Sequence, residues 1–561
     1  MATKPKMTAA NDASLPDIAN ISPTSKELVI GVVGHAGAGT STAGKRICVM
    51  LEEAGYTVVP VKLSNLIIQI LDPKLPEIVE GANEGLTRFQ RASELQNLGD
   101  KLRKDYGGHA LAVAVITKIK AARGEATPGE SKLAFVLDSL KHPEEVHLLR
   151  QVYDLSFRLV AVHCDESKRE KRLIGTKVQG VKYGGVPREK VVNFMRRDAK
   201  DDEHKYGQRV RDAFHLADFF LDNTSDSPSG AAMNVDIDRF IHLLLDEQLV
   251  RPTSGERAIY HAYAASLQSA CLSRQVGAAL MSPDGTLIAT GVNDPPKFGG
   301  GIYDGDSNPD NRCFAWEFDS EKGTFIGCHN DRKKHELYEK IAMWMAENLS
   351  DDIAKQLVPL DEVMGKDLAA ESRETVSAKV SDVLTSVSSR LRDMPGVKDA
   401  IEYSRAIHAE MTALLAAARS GAKTVNSSLY VTTYPCHNCA RHLVAAGVSR
   451  VYFIEPYTKS LACELHSDAI VSELPAFGSG SEQARAQTKM AVVPYTGVGP
   501  RMYEDFFVKR GEIKESNGRY APKRGGVPFY AVRLRELDAV EREAVKLIPE
   551  FETKAHVDAG E

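Results

Sequence analysis

The chain has 561 residues, and 71 Lys and Arg against 76 Asp and Glu give a formal net charge of −5. Hydrophobic residues at 43% and charged residues at 26% are typical of a globular protein and exclude a largely disordered or collagen-like chain. At roughly 100 to 200 residues per domain, the length predicts about three to four domains. The slightly acidic balance supplies no general attraction to nucleic-acid phosphates or anionic lipid, so a DNA substrate is not expected.

Residues 1–25 are polar and rich in small side chains, and they predict a disordered tail with no apolar segment for a signal peptidase. No run approaches the roughly 18 to 20 apolar residues of a membrane span. Eight cysteines in a chain without an export signal indicate a reducing compartment. The sequence therefore predicts a cytoplasmic protein with no membrane partner.

Residues 26–230 alternate β-rich runs with helical patterns, the order of a parallel sheet flanked by helices. The predicted strands lie at 28–33, 57–63, 133–137, 158–163 and 219–221. A helix over 88–104 is predicted because Leu95, Leu98 and Leu102 recur at helical spacing. A polar Ser/Pro/Gly segment near residue 230 is interpreted as a linker.

A glycine-rich segment follows the first predicted strand and precedes a helical pattern, which is the context of a phosphate-binding loop. Gly34, Gly37 and Gly39 would let backbone amides curl around phosphate oxygens, and Ser41 could hold Mg²⁺. Thr40 stands where such loops carry lysine, so we expect nucleotide binding rather than phosphoryl transfer. The alternative is a tight turn without a ligand. Weaker candidates for the same site are Asp138, Arg169 and Arg172.

Residues 250–520 are predicted to form a second domain, and 521–561 a C-terminal extension. A helical pattern over 256–273 precedes two β runs, 276–281 and 287–292, which the turn Pro283-Asp284-Gly285 joins into a hairpin. Residues 330–405 are interpreted as a helical insertion. The remainder predicts a helix at 408–420, a strand at 429–433, a helix at 436–446 and a strand at 451–454.

Two motifs in this second domain carry chemistry. His408-Ala409-Glu410 opens one predicted helix and Pro435-Cys436-His437-Asn438-Cys439 opens the next, the H-x-E and P-C-x-x-C pattern of zinc-dependent nucleobase deaminases. One imidazole and two thiolates give Zn²⁺ three ligands and leave the fourth position for water, as in catalytic sites. We therefore predict zinc at His408, Cys436 and Cys439, with Glu410 as proton shuttle.

Two alternatives stay open at this stage. A redox or structural Cys-x-x-Cys motif with an unrelated histidine would give the same letters. A second, structural zinc could be held by Cys313, Cys328, His329 and His335, although their spacing matches no specific pattern.

With both motifs, residues 265–269, 271–278 and 290–293 resemble the deoxycytidylate deaminase family over about 250–470. This resemblance implies a cytidine-deaminase-like α/β/α sandwich and free deoxycytidine nucleotides as substrates. It also implies that Asn293 contacts the sugar and that Arg274 lies near the phosphate. From the residues alone, Asn293 could instead be a turn residue, and Arg274 a surface salt bridge.

A kinase-like phosphate-loop domain ahead of such a deaminase is similar to the bacterial antiviral deoxycytidine nucleotide deaminases. That resemblance implies conversion of dCTP and dCMP to dUTP and dUMP, depletion of dCTP during phage infection, a homo-oligomer, and inhibition by a small noncoding RNA. The expected fold is an N-terminal domain like the P-loop nucleoside-monophosphate kinases followed by the sandwich. The alternatives are a housekeeping dCMP deaminase supplying dUMP, a nucleic-acid editing deaminase, and a catalytically dead nucleotide sensor.

Overall fold

The computed structural model describes residues 24–71, 88–124, 132–174, 186–201, 206–224, 231–246, 248–319, 323–357, 390–391, 403–457, 460–472, 489–509, 514–521 and 532–551. Most of the predicted tail, and much of the predicted insertion beyond residue 357, lie outside these ranges. The described residues form two compact units, one from 1–256 together with 494–561 and the other from 257–493. None of the described helices is both long enough and apolar enough to cross a membrane.

The strands are β1 (Thr24–Ser25), β2 (Leu28–Gly34), β3 (Thr57–Lys62), β4 (Leu133–Leu140), β5 (Phe157–His163), β6 (Phe219–Asp222), β7 (Gly277–Met281), β8 (Leu287–Val292), β9 (Ser428–Thr433), β10 (Arg450–Glu455), β11 (Ile470–Val471), β12 (Met490–Pro494), β13 (Gly497–Val498) and β14 (Val532–Arg533).

The helices are α1 (Thr40–Glu53), α2 (Leu63–Leu71), α3 (Arg88–Tyr106), α4 (Ala110–Arg123), α5 (Pro143–Tyr153), α6 (Glu166–Ile174), α7 (Arg188–Ala199), α8 (Val210–Phe214), α9 (Ala231–Leu245), α10 (Ser254–Ser266), α11 (His329–Leu357), α12 (Ala409–Ser420), α13 (His437–Ala445), α14 (Ala462–Leu465), α15 (Tyr503–Phe507) and α16 (Leu534–Val545). Short 3₁₀ turns lie at Asp154–Ser156 and Pro500–Met502.

The first unit contains the predicted parallel sheet. Its described strands run in the order β13-β6-β5-β2-β4-β3, and every pair except β13 with β6 is parallel. Strand β2 reads Leu-Val-Ile-Gly-Val-Val-Gly and is buried along its whole length, as expected of a central strand covered on both faces. All five predicted strands are present, each within a few residues of its expected ends.

The C-terminal residues return to the first unit, which differs from the predicted boundaries. Strand β13 pairs with β6, and β14 pairs with β1, where the sequence predicts a disordered tail up to residue 25. Buried Glu256 ties this return together, because its carboxylate accepts hydrogen bonds from Thr253 N, Arg239 and Val498 N. The described residues from 494 onward therefore group with the first unit, whereas the sequence assigns residues up to 520 to the second domain.

The second unit is built on a mixed sheet. Its described strands run in the order β11-β12-β10-β9-β7-β8, with β9 parallel to β10 and β7 antiparallel to both β8 and β9. The predicted hairpin is confirmed. The predicted helix over 256–273 ends at Ser266, because the next residues bond to the end of the hairpin: Ser269 Oγ donates to Asn293 O and Ala270 N to Asp294 Oδ2.

Helix α12 packs directly on β8, and a glycine permits the close approach. A Cβ on Gly291 would lie 2.1 Å from Ala409 O and 2.4 Å from Ala413 N. The Thr412 hydroxyl adds a hydrogen bond of 2.9 Å to Val292 O. This contact fixes where α12 begins, and α12 begins at the residues of the first motif.

Candidate metal centre and catalytic cavity

The two motifs occupy the first turns of two helices that follow the sheet. His408 is the N-cap residue of α12, in an extended conformation, and Ile407 before it is bridged to Asp294 beyond β8. Cys436 is the N-cap residue of α13, and its Sγ accepts a 3.5 Å hydrogen bond from Cys439 N. Because β9 leads into α13 and lies next to β7 of the hairpin, both helix starts meet at one side of the sheet.

The three predicted metal ligands lie together. His408 Nδ1 is 3.3 Å from Cys436 Sγ and 3.4 Å from Cys439 Sγ. Ordinary Zn–S and Zn–N bond lengths place two donor atoms of a tetrahedral site about 3.5 Å apart. The spacings observed here match that value. Within the described residues, this is the one group of three or more His, Cys, Asp or Glu whose donor atoms all lie within 4.8 Å of one another.

The chemistry of the donors also fits zinc. The hydrogen bond from the Cys439 thiol lowers the pKa of Cys436. The same hydrogen bond, together with burial, raises the pKa of Cys439. Two cysteine sulfurs and an imidazole nitrogen at two helix N-termini make a donor set that Zn²⁺ prefers. The residues present therefore fit a three-ligand zinc site.

No other candidate metal site forms within the described residues. Cys463 lies on α14, where its Sγ is 3.2 Å from Tyr434 Oη, and it is not part of the ligand group. Cys313, Cys328, His329 and His335 make no group of metal-donor spacing either.

Glu410 is the buried acid of the site. It follows His408 by two residues in the first turn of α12, and its side chain is 4% exposed. Burial raises its pKa to about 7, while the neighbouring His408 acts in the opposite direction. A carboxyl group with such a pKa can both accept and donate a proton near neutral pH, which is what a general acid–base group needs.

A cavity of about 350 Å³ opens beside these residues, within the second unit. His408, Glu410 and Cys436 form its polar end, and Thr433 and Tyr434 lie next to them. The volume suits a small ligand such as a nucleotide. Of the described lining residues, Glu410 is the sole carboxylate, whereas two arginines line the wall.

Both residues predicted to bind substrate line the cavity, but their polar groups already have partners. Asn293 Oδ1 accepts from Val276 N and its Nδ2 donates to Arg274 O, each at 2.7 Å. Arg274 Nη1 lies 3.1 Å from Glu455 Oε1. Asn293 therefore shapes the loop before β7, and the charge of Arg274 is balanced by a carboxylate.

The sequence interpretation did not name Arg405, and it named His329 only as a candidate ligand of a second zinc. Arg405 and His329 line the cavity from the loop before α12 and from the start of α11. Arg405 lies three residues before His408, and this proximity was the one signal in the sequence that could have pointed to it.

The glycine-rich segment of the first unit forms the loop between β2 and α1. Gly37 and Gly39 have φ of 81° and 93°, which glycine adopts without strain. Ser41 Oγ donates to Asp138 Oδ2 at 2.6 Å. One loop amide is already used, since Ala36 N donates to the buried Asp198 carboxylate at 2.7 Å.

Comparison with known proteins agrees with the geometry of the second unit. Residues 365–455 match the family described as the cytidine and deoxycytidylate deaminase zinc-binding region, and this stretch contains all three candidate ligands and Glu410. Part of the chain, residues 365–455, is therefore similar to a deaminase zinc-binding region. The metal expected at this deaminase centre is therefore zinc.

The relatives of this deaminase region cover a minor part of the chain. The ComE operon protein 2 of Bacillus subtilis is 41% identical over 70 residues, which is 12% of this chain and 37% of that protein. The deoxycytidylate deaminase of Enterobacteria phage T2 is 27% identical over 201 residues, 36% of this chain and 78% of that enzyme.

Among solved structures, the dCMP deaminase of cyanophage S-TIM5 in its apo form is 14% identical, with a TM-score of 0.20. The match covers 44% of this chain and 99% of that one.

Proposed function

We propose that the second unit catalyses zinc-dependent hydrolytic deamination of free deoxycytidine nucleotides, converting dCMP and dCTP to dUMP and dUTP with release of ammonia. The observation that carries the proposal is the His408, Cys436 and Cys439 cluster with buried Glu410 beside it at the end of one cavity. The phage T2 relative is named as a deoxycytidylate deaminase, which supports the same substrate class.

Each residue has a part in this chemistry. His408, Cys436 and Cys439 would hold zinc, which supplies a nucleophile at neutral pH by lowering the pKa of water toward about 7. Glu410 accepts the proton released from that water at its carboxylate. It delivers that proton to the ring N3, then takes the second proton from the hydroxyl group added at C4 and passes it to the departing amino group. Because Glu410 is buried, its proton passes to the substrate rather than to bulk solvent.

The biological role that we propose is antiviral depletion of dCTP during phage infection, with the small noncoding RNA inhibitor and the homo-oligomer as further predictions of the resemblance. The alternative of a housekeeping dCMP deaminase has the same site chemistry. Preference for dCTP is the property that separates the two. The described structure contains the full ligand cluster and Glu410, which argues against a catalytically dead sensor.

The test is a product assay by liquid chromatography on the full chain. Separate reactions contain dCMP, dCTP, deoxycytidine and a cytosine-containing oligonucleotide, each beside a Glu410→Gln control. We expect dUMP from dCMP and dUTP from dCTP, with no product from the oligonucleotide. Turnover of dCMP alone would support the housekeeping role, and deamination confined to the oligonucleotide would refute the proposal.

We further propose that the first unit binds nucleotide phosphate through Gly34, Gly37, Gly39, Thr40 and Ser41. The contact between Ser41 and Asp138 supports this proposal. A Gly39→Val variant should lose nucleotide binding by this unit. Deamination by the second unit should continue. Equilibrium dialysis measures the binding of ATP and dTTP. Equal binding by the variant and the wild-type protein would refute the proposal.

A further inference from the structure

The wall of the cavity contains a cation that has no carboxylate partner among the described residues. Arg405 lines the cavity with its guanidinium carbon 3.7 Å from the centre of the Trp316 ring, and Nη1 lies 4.0 Å from Cys313 Sγ. Within the described ranges no carboxylate lies at ion-pair distance from it. Stacking on Trp316 holds the guanidinium in place without neutralising its charge. This arginine is therefore ready to receive an anion.

A histidine beside the same tryptophan has an unused polar atom. His329 is 4% exposed, and its ring packs on Trp316 at 4.8 Å between ring centres. Nε2 is buried and has no hydrogen-bond partner, although the residue lines the cavity. A buried polar atom left unpaired is costly, so an unpaired nitrogen on a residue that lines a cavity indicates a ligand.

The state of this ring follows from its other nitrogen. Arg332 Nη2 lies 3.4 Å from His329 Nδ1, and arginine can only donate, so Nδ1 is the acceptor and Nε2 carries the proton. Burial, with Arg405 and Arg332 nearby, lowers the pKa of His329, which keeps the ring neutral. The unpartnered Nε2 is thus a hydrogen-bond donor.

We propose that Arg405 and His329 form the subsite for the 5′-phosphate of the deoxycytidine nucleotide. The inference rests on the proposed function, since the phosphate belongs to its substrate. It assigns the phosphate to a fixed cation and an N–H donor, both contributed outside the two motifs. Arg405 and His329 thus replace Arg274 as the proposed phosphate contact, because the guanidinium of Arg274 is already paired with Glu455.

The experiment measures binding to the zinc-loaded full chain by isothermal titration calorimetry, with dUMP and deoxyuridine as probes. These products differ by the phosphate alone and are not turned over. An Arg405→Gln substitution should weaken dUMP binding about tenfold to a hundredfold, as expected for a charge-assisted hydrogen bond. Deoxyuridine binding should be unchanged. His329→Gln should weaken dUMP binding about tenfold or less, because its hydrogen bond is neutral.

Two controls separate a direct contact from damage to the fold. Arg312→Gln removes an arginine that is paired with Asp310 and does not line the cavity, and it should leave both affinities unchanged. Arg405→Lys keeps the charge and should give an intermediate affinity for dUMP, with zinc content as in the wild-type protein.

The possible results are distinguishable. If the wild-type protein deaminates dCMP while Arg405→Gln retains dUMP affinity, or loses dUMP and deoxyuridine affinity equally, the phosphate subsite is wrong and the proposed function stands. If the zinc-loaded wild-type protein deaminates no deoxycytidine nucleotide, the proposed function itself fails.

Discussion

At the residue scale, Glu410 and the three candidate metal ligands lie at the same end of the cavity but differ in their arrangement. His408, Cys436 and Cys439 have donor atoms that converge, whereas Glu410 is on the same helix turn as His408 but outside the ligand group. Burial, which raises the pKa of Glu410 to about 7, gives it a different task from the ligands. Substitutions at these positions should therefore separate zinc content from turnover.

The first prediction concerns that separation. A Glu410→Gln variant should keep one zinc per chain and lose turnover of dCMP by at least about a hundredfold, since general acid–base groups contribute about 10²- to 10⁴-fold. Zinc content is measured by atomic emission and turnover by dUMP formation. Cys436→Ala is the companion variant and should lose both properties. Turnover by Glu410→Gln at the wild-type rate would remove Glu410 from the mechanism.

The sequence was sufficient for the metal centre and insufficient for the rest of the cavity. The ligands lie in two short motifs at helix starts, so spacing alone places them together. Arg405 and His329 belong to segments with no periodic signal, and they meet through packing on Trp316. The ion-pair partner of Arg274 is Glu455, which lies on a separate strand. The local sequence pattern around Arg274 does not reveal it.

At the element scale, the position of α12 depends on its contact with β8. Gly291 lies under the first turns of α12, and any side chain there would meet the helix backbone. Helices α12 and α13 were predicted because each has an apolar face and a glycine, Gly421 or Gly447, shortly after its last turn. The closeness of α12 to β8 is set by a tertiary contact and was not predicted.

The second prediction tests this contact. Gly291→Ala should destabilise the second unit by about 1 to 3 kcal/mol and weaken zinc binding, because the helix must shift to admit the methyl group. Thermal unfolding and zinc titration measure the two effects. Gly305→Ala is the matched control, since nothing lies within 4 Å of its added Cβ. Equal behaviour of the two variants would contradict the account.

The third prediction concerns helix α5 in the first unit. His142 is its N-cap residue, and its side chain accepts a hydrogen bond from Glu144 N. Burial, with Arg103 and Arg209 nearby, lowers the pKa of His142 from 6.5 to about 3. The unfolded chain then binds a proton that the folded chain does not. The free energy of unfolding is therefore undiminished above about pH 7 and decreases as the pH falls toward 3.

The loss should reach about 2 kcal/mol at pH 5. His142→Asn keeps a good N-cap but cannot titrate, so it should remove this part of the pH dependence. Hydrogen exchange of the α5 amides at pH 5 and pH 7, compared between wild type and variant, measures it. Identical protection ratios in the two proteins would refute the assignment.

At the scale of the whole molecule, the first unit is completed by residues far apart in sequence. Arg123 on α4 bonds Glu27 and Glu541 at 2.7 Å each, and Tyr153 Oη donates to Glu541 at 2.9 Å. Glu541 belongs to α16 near the end of the chain and is fully buried. From the sequence, residues 521–561 were interpreted only as an extension. Pairing between residues more than 400 positions apart, such as Arg123 and Glu541, leaves no local signal.

The fourth prediction follows from this cluster. Glu541→Ala should destabilise the first unit by about 3 kcal/mol, because Tyr153 stays buried without its partner while Arg123 keeps only Glu27. Glu543→Ala on the same helix is the control, since Glu543 is 72% exposed and pairs with Lys546 alone. Urea unfolding of the two variants measures the difference. An equal and small effect in both would show that α16 contributes little to the unit.

The central claim is that one zinc ion at His408, Cys436 and Cys439 turns this chain into a deaminase of free deoxycytidine nucleotides. Its most direct test removes the metal with a chelator and titrates zinc back while dUMP formation from dCMP is followed. We predict no product without metal and full activity at one zinc per chain. Deamination of dCMP that persists in metal-free protein, or its absence at one bound zinc per chain, would contradict the claim.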